Sequence, residues 1–252
     1  LQAGIVVLLG LLRAEEAEAE QPFAIGALRT RILGDLGGDE VSPGSLGLAL
    51  WAETRAGGEA IAEIDGLIRR QTVRGFEKIP LEQLAWLASG LTESGVLTGE
   101  PDHGLTQEVK SELTSRITAN GLSRDIHVRR LGTAVPVSSQ FHLLHALCQM
   151  VRAGDEELRE AADRLAGALL GLQRRDGAWP GLIDPVRSSA AVIYPVLTVT
   201  QLAIAPIALR AASELGLVSD FDGAIRGSLE WVAGGNALNL DLVHESDARI
   251  DR

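Results

Sequence analysis

The stretch DEELREAADRLAGALLGLQRRDGAWPGLIDP, residues 155–185, decides how the rest of the chain is read. Its first part places Leu158, Ala162, Leu165, Ala166, Leu169 and Leu172 three or four residues apart, with Glu, Asp and Arg between them. That period predicts an amphipathic helix over 155–173 with one charged and one apolar face. The second part carries Asp176-Gly177, Trp179-Pro180 and Asp184-Pro185, which are turn and breaker signals. A helix that stops at a long, chemically varied loop is the unit from which the fold is built up.

Outward from this stretch the same period recurs, while strand-like alternation is almost absent. Helices are expected near residues 2–19, 23–36, 44–56, 58–71, 81–97, 106–119, 138–153, 155–173, 196–215 and 219–234. Glycine follows many of these segments, as helix C-termini prefer. The helices alternate in character. Segments such as SLGLALWA, LEQLAWLASGL and FHLLHALCQMV are apolar nearly all round and should be buried, whereas their successors have a charged face and should look outward. The expectation is an all-α chain, an α/α toroid of about five to six helical hairpins with inner and outer helices alternating, in a single domain over 1–252. An open solenoid of hairpins gives the same alternation.

The composition narrows the partners. With 252 residues and 46% hydrophobic content the chain can bury a sizeable core. A formal net charge of -11 disfavours nucleic acid, because phosphate contacts need clustered Lys and Arg. The single cysteine, Cys148, excludes an intrachain disulfide and a multi-thiolate zinc site, and fits a cytoplasmic protein. The apolar run 4–12 is too short to span a bilayer. It reads as a buried first helix in preference to a signal-peptide core. The first residue is Leu1 and the only methionine is Met150, so a truncated N-terminus is expected, with a helix or hairpin upstream.

The phrase LLGLQRRDGAWPG, residues 169–181, resembles the glutamine-tryptophan repeat of terpenoid cyclase and protein prenyltransferase toroids, with Gln173, Gly177 and Trp179 in the Q, G and W places. The resemblance implies that the glutamine caps a helix end and the tryptophan packs over it, tying hairpins together. The upstream aromatic of that repeat is replaced by Ala168. The same phrase looks like the hairpin ends of six-hairpin glycosidase and epimerase toroids. The order SSQFHLLHAL, LQRRDGAWPGLIDP, YPVLTVTQLAIAPIAL, SLEWVAGGNALNLDLV is similar to bacterial toroid proteins found near glycosyltransferases. No Asp-x-Asp-Asp run is present, so the proton donor of a class II terpene cyclase is missing. Four Trp, four Phe and one Tyr are also few for a carbocation channel.

Candidate site residues fall in four places. The loop 174–193 reads as a lid without secondary structure, since a loop of that length in a compact domain usually covers a site. Trp179 within it and Tyr194 just after it offer flat faces to a sugar. Asp176 and Asp184 are the carboxylates for acid-base work, paired carboxylates being the requirement of glycoside hydrolysis. A plain turn role before Gly177 competes for Asp176. The helix entries PVSSQF and YPVLTVTQ place Ser138, Ser139 and Gln140 with Thr198, Thr200 and Gln201 around the ring mouth, ordinary helix capping being the alternative. On the inner helices, His142 and His145 share a face continued by Gln149, and Trp51 and Trp86 line the cavity or pack in the core. No acidic residue completes a metal set beside the histidines, so neither a metal nor another cofactor is expected. In the closing segment Asp241, His244 and Glu245 reach the mouth or form a polar tail.

These readings lead to a carbohydrate-active toroid enzyme, a hydrolase, lyase or epimerase, with a small-molecule or glycan ligand in the central cavity. A terpenoid cyclase-like or prenyl-ligand protein and a non-catalytic binding or scaffold module are the alternatives.

Overall fold

The computed structural model describes residues 1–18, 23–38, 41–99, 103–126, 133–192, 200–218, 221–236, 241, 243–244 and 249–250, with residues 103, 200, 201, 243–244 and 249–250 described by backbone alone. The chain is helical, with ten α-helices among these residues. They gather into two compact units, Leu1–Leu113 and Thr114–Arg252.

Unit 1 contains α1 (Gln2–Glu16), α2 (Ile25–Asp35), α3 (Pro43–Arg55), α4 (Ile61–Thr72), α5 (Leu81–Thr98) and most of α6 (His103–Ser115). Helix α3 starts where expected because Ser42 accepts a hydrogen bond from the Ser45 amide at 3.2 Å and Pro43 fills the first turn. Every residue from Gly44 to Glu53 is buried, as an apolar-all-round sequence requires. Helix α4 is instead amphipathic and buries Ile64, Ile68 and Thr72 at a spacing of four. Helix α3 packs against α1, α4 and, most extensively, α5. The approach of α3 to α5 rests on glycine: a Cβ on Gly90 would lie 1.9 Å from the Gly47 carbonyl oxygen.

Glu53 is the most deeply buried charge among the described residues of unit 1. It is 2% exposed, takes Arg29 Nε and Nη2 at 2.8 and 2.7 Å, and accepts the Ala60 amide at 3.1 Å. These bonds join α2, α3 and the entry to α4. The Arg29 guanidinium, aided by the Ala60 amide, outweighs burial and holds the Glu53 carboxyl below its ordinary range.

Unit 2 contains α7 (Val137–Arg152), α8 (Arg159–Leu172) after a 3-10 turn at Glu156–Leu158, α9 (Ala205–Glu214) after a π-helical turn at Thr200–Ile204, and α10 (Phe221–Val232). Helix α7 packs against α8 and α9. Twelve residues of α7 are buried, whereas α8 buries only Ala162, Leu165, Ala166 and Leu169, the stripe its sequence showed.

The loop after α8 differs from the expectation of a structureless lid. It contains β2 (Leu182–Asp184) and β3 (Ser189–Ala190), which form a three-stranded antiparallel sheet with β1 (Val135–Pro136) in the order β1-β2-β3. Val135 pairs with Ile183 and Asp184 with Ser189. Strands this short carry no readable period, and it is pairing with β1, about fifty residues earlier, that makes them strands. A second ribbon pairs β4 (Val243–His244) with β5 (Arg249–Ile250).

Candidate functional site

At the end of α8 the last four carbonyls have no partner within the helix. Gln173 leaves the helix in an extended conformation, and its amide Nε2 donates to the Gly177 carbonyl at 2.8 Å and to the Ala224 carbonyl of α10 at 2.7 Å. Both amide hydrogens are thereby used, one within the turn and one on the next hairpin. The turn closes through Gly177 N–H to Arg174 O and Arg174 N–H to Ala178 O, both 2.9 Å. Trp179 folds back over it, 1% exposed, and its indole Nε1 donates to the Leu169 carbonyl at 3.1 Å. That carbonyl is one of the four left over by α8. The Trp179 ring meets Phe141 of α7 edge to face, with centroids 5.3 Å apart and planes at 85°. Gln173 thus ties the turn to α10, Trp179 serves the end of α8, and Trp179 has no face open for stacking on a ligand.

The two carboxylates of this loop are occupied by local donors. Asp176 takes Arg174 Nε at 3.1 Å and Nη2 at 3.0 Å, and accepts the Ala178 amide at 3.3 Å. Asp184, 6% exposed, accepts the Val186 and Arg187 amides on Oδ1 at 2.9 and 3.1 Å. Its Oδ2 takes the Thr133 hydroxyl and the Arg187 guanidinium, both at 3.0 Å. These bonds, the Arg187 amide foremost, hold the Asp184 carboxyl below its ordinary range. A general acid of glycoside hydrolysis needs the reverse shift, so that it keeps its proton near neutral pH. Asn120 fixes the same hairpin from outside by donating to the Pro185 and Val186 carbonyls at 2.8 and 3.2 Å.

Gln140 is fully buried and pairs in both directions with one residue: its Oε1 accepts the Ser123 amide at 2.8 Å and its Nε2 donates to the Ser123 carbonyl at 3.0 Å. This side chain acts as a strand neighbour for the turn at 117–123. Trp86 of α5 is 7% exposed, and Trp51 of α3 lies under the guanidinium carbons of Arg13 and Arg55 at 5.2 and 5.9 Å. Tyr194 and Thr198 lie outside the described residues, as does the side chain of Gln201, whose backbone belongs to the π-helical turn.

What remains is the stripe on α7. Ser138, His142 and His145 are half-buried in a helix whose other residues up to Val151 are buried, and Gln149 continues them four residues on. Spacings of four, three and four put all four side chains on one face. The adjoining face, with Phe141, Leu144, Cys148 and Val151, is packed. Burial pushes the Cys148 thiol up to about 12, so it is no nucleophile at neutral pH. Among the described residues no group of three or more His, Cys, Asp or Glu is placed to hold a metal. No helix among them is long and apolar enough to cross a membrane.

Sequence reasoning missed the Arg29–Glu53 pair, whose signal was a lone glutamate in the apolar run SLGLALWAETR. It also missed Thr133, Arg187 and Asn120 as partners of the 182–190 hairpin. No protein-family model matches the chain, nor does any curated protein or solved structure.

Proposed function

We infer that this chain is a carbohydrate-active protein of the α/α-toroid type that takes a glycan on the polar stripe of α7. The observation that carries the reading is Ser138, His142 and His145 in line, half-buried, on a helix otherwise closed off by packing. A polar line on an inner helix is what a sugar needs, and an apolar prenyl ligand would gain nothing from it. The toroid arrangement is supported by the alternation of buried α3, α5 and α7 with amphipathic α4, α8 and α10, and by the packing of α1 on α3, α3 on α5 and α7 on α9.

Of the three reactions, hydrolysis requires a carboxylate pair, and the turn and hairpin donors already engage Asp176 and Asp184. Lyase and epimerase chemistry needs a base to abstract a carbon-bound proton, a role imidazole fills near neutral pH. His142 and His145 supply that group, with Gln149 and Ser138 as hydrogen-bonding neighbours. The loop 173–190 then works as the clasp of the hairpins.

The test is to incubate the full chain with a glycan panel in heavy water and read deuterium in the recovered sugar. Incorporation that His142→Ala and His145→Ala each abolish, while Asp176→Asn retains it, is the expected result. Binding without incorporation would leave a binding module; neither binding nor incorporation would overturn the reading.

A further inference from the structure

Unit 1 contains a recess of about 250 Å3 bounded by α3, α4 and α5. Leu50 and Leu91, 4% and 5% exposed, form its apolar lining together with half-buried Ile61. Asp65 and Arg69 of α4 also line it, and the Ser94 hydroxyl of α5 is a polar group on the opposite helix. The volume is below the range of drug-sized pockets and suits a ligand of amino-acid size.

The charges decide the ligand class. Arg69 Nε lies 2.8 Å from Asp65 Oδ2, with the side chains 54% and 34% exposed, so both signs of charge are presented side by side at the rim. An exposed pair at this spacing contributes little to stability, and sharing it with a ligand costs correspondingly little. A monoanion would meet Asp65 and the chain's net charge of -11, and a monocation would meet Arg69. A zwitterion satisfies both groups at once, its ammonium on Asp65 and its carboxylate on Arg69. The lining of Leu50, Ile61 and Leu91 then calls for a hydrocarbon tail. We propose that this recess binds a small zwitterion with an aliphatic side chain, of the class of the aliphatic α-amino acids.

The experiment titrates the full chain with L-leucine, followed through the backbone amides of α4 and α5 by NMR. Saturable shifts at 61–69 and 91–98 are expected. Isovalerate and isoamylamine, which each keep one charge and the tail, should bind about tenfold more weakly or worse. Asp65→Asn and Arg69→Gln should each weaken L-leucine by about tenfold. Ile61→Phe, which fills the recess, should abolish the shifts. Both charged positions are partly exposed, so their variants are expected to keep the fold, and far-ultraviolet circular dichroism checks this. Absence of saturable shifts, equal binding of the three compounds, or binding unchanged in Asp65→Asn and Arg69→Gln would each overturn the proposal.

Discussion

Gly177 and Gly227 meet backbone to backbone, but the contact is not symmetrical. A Cβ on Gly177 would lie 2.0 Å from the Gly227 carbonyl oxygen, whereas a Cβ on Gly227 comes no closer than 3.4 Å to Gly177. Gly177 also has φ of +88°, a conformation that glycine adopts freely and other residues do not. Gly177→Ala should therefore cost about 2–4 kcal/mol, from clash and strain together. Gly227→Ala, within helix α10, should be neutral or stabilising by up to about 1 kcal/mol. Urea denaturation of the two variants measures both effects.

Trp179→Phe keeps the ring against Phe141 and removes the indole N–H that serves the Leu169 carbonyl. The expected loss is about 1–3 kcal/mol, the cost of a buried acceptor left without a donor. Gln173→Leu removes two donors, so it should cost more than Trp179→Phe and loosen α10. Hydrogen exchange in α10, faster in Gln173→Leu than in Trp179→Phe, checks that assignment.

Breaking the Arg29–Glu53 pair from the arginine side leaves a carboxylate that is 2% exposed without its cation. Arg29→Met should cost about 3–5 kcal/mol, and the double change to Met and Gln should recover part of it. Thermal melts of the single and double variants read the difference.

The acid limb of stability follows from two depressed carboxyls. Glu53 and Asp184 both titrate lower in the folded chain than in the unfolded one. Their contribution is complete above their ordinary values, about 4.5 and 3.8, and is lost as pH falls through the lower folded values. Glu53→Gln and Asp184→Asn should each flatten the fall in stability between neutral and acid pH. Denaturation midpoints measured across that range test the slope.

Cys148 should resist alkylation while the chain is folded, because the thiol is fully buried and its ionisation is pushed up to about 12. Iodoacetamide at pH 8 should label it only in denaturant, as followed by intact mass. Labelling of the native chain would show that α7 opens locally.

The helices were legible because their apolar residues lie in local, periodic order: α3, α5, α7 and α8 begin and end within a few residues of the limits read from glycine, proline and serine signals. The turn after α8 was legible through Gln173, Gly177 and Trp179, whose bonds to Gly177 and Leu169 lie within ten residues, whereas the bond from Gln173 to Ala224, 51 residues on, was not. The roles of Gln140 and Asp184 were not. Gln140 reads as a polar cap at a helix start, yet its partner Ser123 is 17 residues away. Asp184 reads as a free carboxylate until β2 pairs with β3 and the turn amides of Val186 and Arg187 come round to it. Paired short strands and buried amides depend on distant neighbours, and a pattern of nearest neighbours does not encode them.

The crossing of Gly47 and Gly90 contains no side chain on either helix. Every amino-acid substitution at either position adds at least a methyl group, so this contact has no path of gradual divergence: surrounding leucines can exchange with one another over generations, while these two sites hold still or the two helices part. The crossing is thus the point from which unit 1 in distant descendants of this chain should be aligned.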